Sequence, residues 1–107
     1  MIARIWTGAT RTVDADDYQQ YMRHVALPGY EGVTGNRGVL MLRRARDDDR
    51  TEFTMITVWD GLDSIAAFAG PDPDRAVFYP LDDQFLVERD VSVRHYDVYG
   101  GSWPRQA

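Results

Sequence analysis

Two side chains in the sequence have the chemistry to move a proton and hold the charge it leaves behind. His95 is one, because an imidazole ordinarily titrates near pH 6.5 and so offers a neutral base at physiological pH. It sits in the β-prone run Val91–Tyr99, where a strand would fix the orientation of its ring. A histidine there also serves as a purely structural hydrogen-bonding group, and spacing alone does not separate the two roles. Arg4 is the second, a charge early in a strand that topology places centrally, where a buried guanidinium needs a partner or a ligand. Aimed into a pocket, it would stabilise a phenolate, an enolate or superoxide; turned to Asp97 or Glu88, it would be a structural ion pair. His24 lies near the end of the first helix, where a partly cationic ring complements the dipole. Trp6, Tyr21, Trp59, Phe68, Phe78 and Tyr79 are large enough to line a flat apolar cavity. Of these, Trp6, Tyr21, Trp59 and Tyr79 add a polar handle to an apolar body.

Other chemistry is excluded by what the chain lacks. Zero cysteines among 107 residues remove disulfides, thiolate nucleophiles and cysteine-ligated metals, and make a reducing cytoplasm the natural compartment. The formal charge of -5 repels phosphate backbones, so nucleic acid is not an expected partner. All 12 cations are arginine, a codon bias without chemical content. No run approaches a membrane span, and no apolar leader segment opens the chain. The acidic runs Asp47–Asp49 and Asp82–Asp83 lack the ligand spacing of a cation loop and read as solvated carboxylates, so no metal site is expected. The Gly35–Gly38 loop precedes a strand, whereas phosphate-cradling loops precede a helix.

Positioning these residues requires six elements. Ile2–Thr10 alternates as a strand. Tyr18, Tyr21, Met22 and Val25 form one helical stripe, with Asp14 as N-cap and Pro28-Gly29 as the stop. Val39–Ala45 and Glu52–Trp59 form a hairpin across the Asp47–Asp49 tip. Asp60 caps a short helix carrying Leu62, Ile65, Phe68 and Ala69, which Gly70 ends. Asp72-Pro73-Asp74 looks like a further helix start running to Tyr79, and Leu81–Val87 allows another helical turn. Val91–Tyr99 is the fourth strand. The reading is one α+β domain, residues 1–99, with a ferredoxin-like βαββαβ order and a four-stranded antiparallel sheet, followed by a tail over 100–107. One sheet face then has no cover from this chain. With Trp6 or with Phe53, Met55 and Trp59 on it, that face would pair in a homodimer.

The pattern Arg4-x-Trp6-x-Gly8, the Gly35-Asn36-Arg37-Gly38 loop, the junction Val58-Trp59-Asp60-x-x-x-Ser64-Ile65-x-x-Phe68 and the closing Val93-Arg94-His95-Tyr96 together resemble the antibiotic biosynthesis monooxygenase superfamily. The likeness spans about residues 1–99. It implies a dimeric α/β barrel in which each protomer holds a pocket between its sheet and its helices. It also implies a choice of activities: oxidation of phenols, quinols or anthrone-type polyketides without a cofactor, or heme cleavage. The heme-cleaving branch uses an Asn on the first strand, a Trp on the second helix and a His about ten residues later. Here the first strand has no Asn, Phe68 stands at the helix position, and the histidine's place falls around Val77–Tyr79. That disfavours heme.

The expected function is therefore oxidation of a small aromatic molecule by dioxygen, with no metal and no cofactor. His95 and Arg4 would be catalytic, and Trp6, Tyr21, Trp59, Phe68 and Tyr79 would bind substrate. A small-ligand-binding dimer without turnover is the first alternative. An isomerase or cyclase using the same His95 base without dioxygen is the second.

Overall fold

Period-two alternation in the first strand decides which side chains enter the core. In the computed structural model, which describes residues 1–102, β1 (Ile2–Arg11) sits at the centre of an antiparallel sheet. It pairs on one side with β3 (Arg50–Trp59), which pairs in turn with β2 (Asn36–Ala45). The register sets Arg4 opposite Thr57, Trp6 opposite Met55 and Gly8 opposite Phe53. These residues, with Met41 opposite Met55 on β2, share the face that the helices cover. The large aromatic and methionine residues expected on the uncovered face are thus in the core, with Trp6, Phe53, Met55 and Trp59 all buried. The uncovered face carries Ile5, Ile56 and Leu40 in one cross-strand row instead. A large apolar side chain stabilises most where two layers close over it.

The first helical segment runs through its expected stop. After a single 3-10 turn come α1 (Ala15–Tyr21), a π-helical turn over Met22–Ala26, and α2 (Leu27–Glu31), without a break. Proline breaks a helix by lacking a donor and by crowding the preceding turn. Pro28 escapes both penalties because it lies in the first turn of α2, directly after the wide π turn. The π turn also changes the buried stripe. Tyr18, Met22, Ala26 and Tyr30 face the sheet at four-residue steps, while Val25 turns outward and Tyr21 is only half-buried. Asp14 makes no side-chain cap.

α3 (Leu62–Ala69) buries Ile65 against the sheet and leaves Leu62 exposed. Its N-cap is Gly61 rather than Asp60. Ser64 Oγ donates to the Gly61 carbonyl at 2.8 Å and accepts from its N–H at 3.4 Å. Asp60 is already engaged, gripped by Arg37 through contacts of 2.6 and 3.0 Å, which also hold its carboxyl below the usual range.

The fourth strand is split, which makes five strands in all. After α4 (Asp82–Phe85), β4 (Leu86–Arg89) pairs with the Gly8–Thr10 end of β1, and β5 (Arg94–Asp97) pairs with its Ile2–Ile5 end. Between them Val91–Val93 leaves β1 and pairs with residues 74–76: Ala76 N–H donates to Val91 O at 3.0 Å, and Val93 N–H donates to Asp74 O at 2.8 Å. Residues 72–76 are therefore a strap, a single turn closed by Arg75 N–H to Asp72 O at 3.2 Å that leads into a one-residue bridge between Arg75 and Ser92, and not the helix expected from Asp72-Pro73-Asp74. An Asx turn, Asp74 N–H to Asp72 Oδ1 at 3.1 Å, starts the strap where a helix cap was expected. The βαββαβ order and the ferredoxin-like antiparallel sheet are as the sequence indicates. No helix among the described residues is long and apolar enough to cross a membrane. Trp103 and the end of the expected tail lie outside the described residues.

Candidate functional site

The pairing of β1 with β5 puts Arg4 directly opposite His95, both on the helix-covered face. Arg4 is 4% exposed, an unusual depth for a cation. Its Nη1 donates to Pro73 O and faces His95 Nε2 at 3.2 Å, and its Nη2 donates to Arg75 O at 2.6 Å. On the other side of the ring, His95 Nδ1 lies 3.2 Å from Asp74 Oδ1, whose carboxylate is largely solvent-exposed. A neutral imidazole protonated on Nδ1 satisfies both neighbours, donating to Asp74 and accepting from Arg4. The result is a line of three groups, carboxylate, imidazole and guanidinium, joining the strap to the central strand. Burial draws the Arg4 guanidinium below its ordinary value, and nearby Tyr30 and Asp74 act in the opposite direction.

An aromatic layer adjoins this line. The Arg4 guanidinium carbon is 5.9 Å from the Phe68 ring centre; Phe68 lies 5.2 Å from Trp59 and 5.1 Å from Tyr30, and Tyr30 lies 6.1 Å from Tyr79. Trp59 Nε1 donates to Thr57 Oγ1 at 2.8 Å. Burial is the main reason both phenols in this layer are hard to ionise, with Tyr79 raised to about 12 and Tyr30 further. Of the seven residues expected to form the site, Arg4, His95, Trp59, Phe68 and Tyr79 are brought together here. The other two lie elsewhere. Trp6 donates through Nε1 to Asp90 O at 2.9 Å and stands edge-on to Phe78, while Tyr21 packs beside Tyr18 and Phe85 and accepts from the Leu81 N–H at 3.0 Å. His24 is exposed on the π turn. Arg4 touches neither Asp97 nor Glu88; Glu88 instead pairs with Arg46 at 2.7 Å.

Sequence reasoning missed three residues. Asp74 was hidden in an apparent helix start. Tyr30 lay beyond an apparent helix stop, although it continues the four-residue spacing from Tyr18 through Met22 and Ala26. Asp82, read as solvated acid, is 3% exposed. It accepts from Tyr18 Oη at 3.1 Å and from the Tyr79 N–H at 2.7 Å, and burial raises its pKa above the ordinary carboxylate value.

The open spaces lie away from Arg4 and His95. A cleft of about 690 Å³ is bordered by Met1, Val58 and Val98 near the Arg37–Asp60 pair, and a pocket of about 90 Å³ sits among Met22, Met41, Met55 and Phe53. The aromatic layer beside Arg4 is packed ring against ring.

Comparison with solved structures shows what this arrangement is built on. The chain superposes on an arginine-to-serine variant of MhuD, crystallised with two manganese protoporphyrin IX molecules per active site, at a TM-score of 0.66 and 17% identity, covering 97% of this chain and 100% of that one. It is also similar to a putative antibiotic biosynthesis monooxygenase from Bacillus cereus, at 0.61 and 12% identity, with 96% and 97% of the chains covered. A third is the heme-degrading protein Rv3592 from Mycobacterium tuberculosis, at 0.54 and 14% identity, covering 94% and 99%. No family profile and no curated protein matches the sequence. The chain thus has the fold of antibiotic biosynthesis monooxygenase-type proteins.

The porphyrin bound in one of these structures, and the heme-degrading activity named for another, raise the question of whether the residues here suit heme. A histidine imidazole is one common protein ligand of heme iron. The chain has two histidines, of which His24 points away from this layer and His95 has both ring nitrogens engaged. Phe68 is packed between Trp59 and Tyr30. These residues do not fit a heme iron held by histidine.

Proposed function

We propose that the chain is a monooxygenase-like protein that oxidises a small phenolic, quinol or anthrone-type aromatic with dioxygen and acts as a homodimer. The observation that carries this reading is the Asp74–His95–Arg4 line beside the Trp59–Phe68–Tyr30–Tyr79 layer. Asp74 accepts from Nδ1–H and so orients the imidazole, which leaves His95 Nε2 as the base. A substrate O–H or activated C–H gives its proton to Nε2. The Arg4 guanidinium, already within 3.2 Å of that nitrogen, then meets the oxyanion that forms. The electron-rich anion passes one electron to dioxygen, the two radicals join as a peroxide, and loss of water leaves a carbonyl. For an anthrone methylene the sum is CH2 plus O2 giving C=O plus H2O, which needs no further reductant.

Oxygen uptake tests this reading. With anthrone or 1-naphthol, the protein should consume one dioxygen per substrate, and His95→Ala should lower kcat by about 10²- to 10⁴-fold while its circular dichroism is unchanged. Substrate loss without dioxygen consumption would replace oxidation with isomerisation or cyclisation. A second reading, a small-ligand-binding protein without turnover, is favoured by the engagement of both His95 nitrogens and of three Arg4 N–H groups in the free protein. Saturable binding with no loss of ligand and no oxygen uptake would select it.

A further inference from the structure

Arg4 is a buried cation with no carboxylate in contact among the described residues. Its hydrogen-bond partners are two backbone carbonyls and one imidazole, none of which carries a full negative charge. Removing a guanidinium from water without a counter-ion is costly, and two neutral carbonyls offset that cost only in part. A guanidinium has five N–H groups in a planar fork. Three are used here. The Nε–H and the second Nη2–H have no acceptor among the described residues, and the Phe68 ring lies 5.9 Å from the guanidinium carbon.

From this we infer that Arg4 is an anion subsite, and that the ligand of this layer is an aromatic molecule with a permanent anionic substituent, a carboxylate, whose ring packs against Phe68 and its neighbours. The inference rests on the proposed function only in placing an aromatic ligand beside Arg4. The side of the fork that includes Nε matches the two oxygens of a carboxylate. Access is part of the same chemistry. Arg4 holds the 72–76 strap by its bonds to Pro73 O and Arg75 O, and a carboxylate is a stronger acceptor than either carbonyl. An arriving carboxylate therefore competes for the donors that hold Pro73 O and Arg75 O, and that end of the strap gives way, while the bonds from Asp74 and Ala76 to Val93 and Val91 keep the rest in place.

Isothermal titration of the full chain with 1-hydroxy-2-naphthoate and with its methyl ester reads this directly. The acid should bind the wild type about tenfold or more tighter than the ester, as expected for hydrogen bonds to a charged group. In Arg4→Gln, checked for fold by circular dichroism, the two should bind alike. An ester that binds the wild type as well as the acid overturns the subsite, and so does a folded Arg4→Gln that keeps the preference. Should Arg4→Gln not fold, the acid-to-ester ratio in the wild type decides alone. If the preference is absent but neutral 1-naphthol drives oxygen uptake, the subsite fails and the oxygenase reading stands. If neither naphthoate binds and no uptake is seen, both fail.

Discussion

At the scale of single residues, the sequence made the types legible and hid the pairings. His95 and Arg4 stood out because a base and a cation on strands are conspicuous, and they are neighbours across β1 and β5. The third member of the line, Asp74, could not be read, because its partner is 21 positions away on a segment that looked helical. Asp82 was misread for a similar reason. An acid after a proline turn is usually solvated, and only the tertiary fold brings Tyr18 over it. Its two partners make a specific prediction. Asp82→Ala leaves the Tyr79 N–H and the buried Tyr18 hydroxyl unpaired and should cost about 2–4 kcal/mol in urea unfolding. Asp82→Asn keeps both bonds, since its oxygen accepts from Tyr79 and its amide donates to the Tyr18 oxygen, so it should fall within about 1 kcal/mol of wild type. The pH dependence separates them further. Because burial raises the folded-state pKa of Asp82 above its unfolded value of 3.8, its favourable contribution is complete below that value. It is then lost as pH rises through the folded value, when a charge must be buried. The unfolding free energy of wild type minus that of Asp82→Asn, measured on a series from acid toward neutral pH, should show this decline, since the contributions of all other groups are common to both.

Element boundaries were legible wherever period and capping agreed. β1, the β2–β3 hairpin and α3 follow from alternation, turn residues and Gly70. The misreadings share one cause, which is that backbone partners outside the element overrode the local signal. Val91–Val93 is β-prone throughout yet leaves β1, because the strap offers it a second ladder. Pro28 did not end the helix, because a π turn precedes it. This explains an otherwise surprising expectation: Pro28→Ala should not relieve the roughly 3 kcal/mol that a mid-helix proline costs. It should instead destabilise slightly, by no more than about 1 kcal/mol, through the freer unfolded chain. A large gain in melting temperature would mean that the π turn is strained by the proline rather than accommodating it. Gly35 is the opposite kind of position. Its φ is 92°, and an added Cβ would sit 2.4 Å from Ser64 Cβ, so Gly35→Ala must either move α3 or strain the loop. A loss of about 2 kcal/mol or more is expected, read from the same urea transition.

For the whole molecule, the two faces of one sheet have divided the work. The helix-covered face carries Arg4, His95 and the aromatic layer. The other face carries the half-buried Ile5, Ile56 and Leu40 across adjacent strands, with the exposed Leu42 and Tyr96 beside them. The sequence correctly showed that one face lacks cover, but alternation cannot say which of two half-apolar sets faces the helices, since a one-residue change of register exchanges them. A half-buried aliphatic row edged by exposed Leu42 and Tyr96 leaves apolar surface in water, and a second copy with the same face removes that cost for both. Sedimentation should therefore find wild type at about twice its 12.2 kDa chain mass. Ile56→Lys, which puts a charge in the middle of the row, should sediment as a single chain. Because Ile56 points away from the helices, this variant should keep its circular dichroism. It should also keep the acid-to-ester preference at Arg4, since that site is on the opposite side of β1 and β3. A monomeric wild type would show that the open face needs no partner. A monomeric Ile56→Lys that also loses the preference would place part of the ligand site in the second copy, so that the two faces act together.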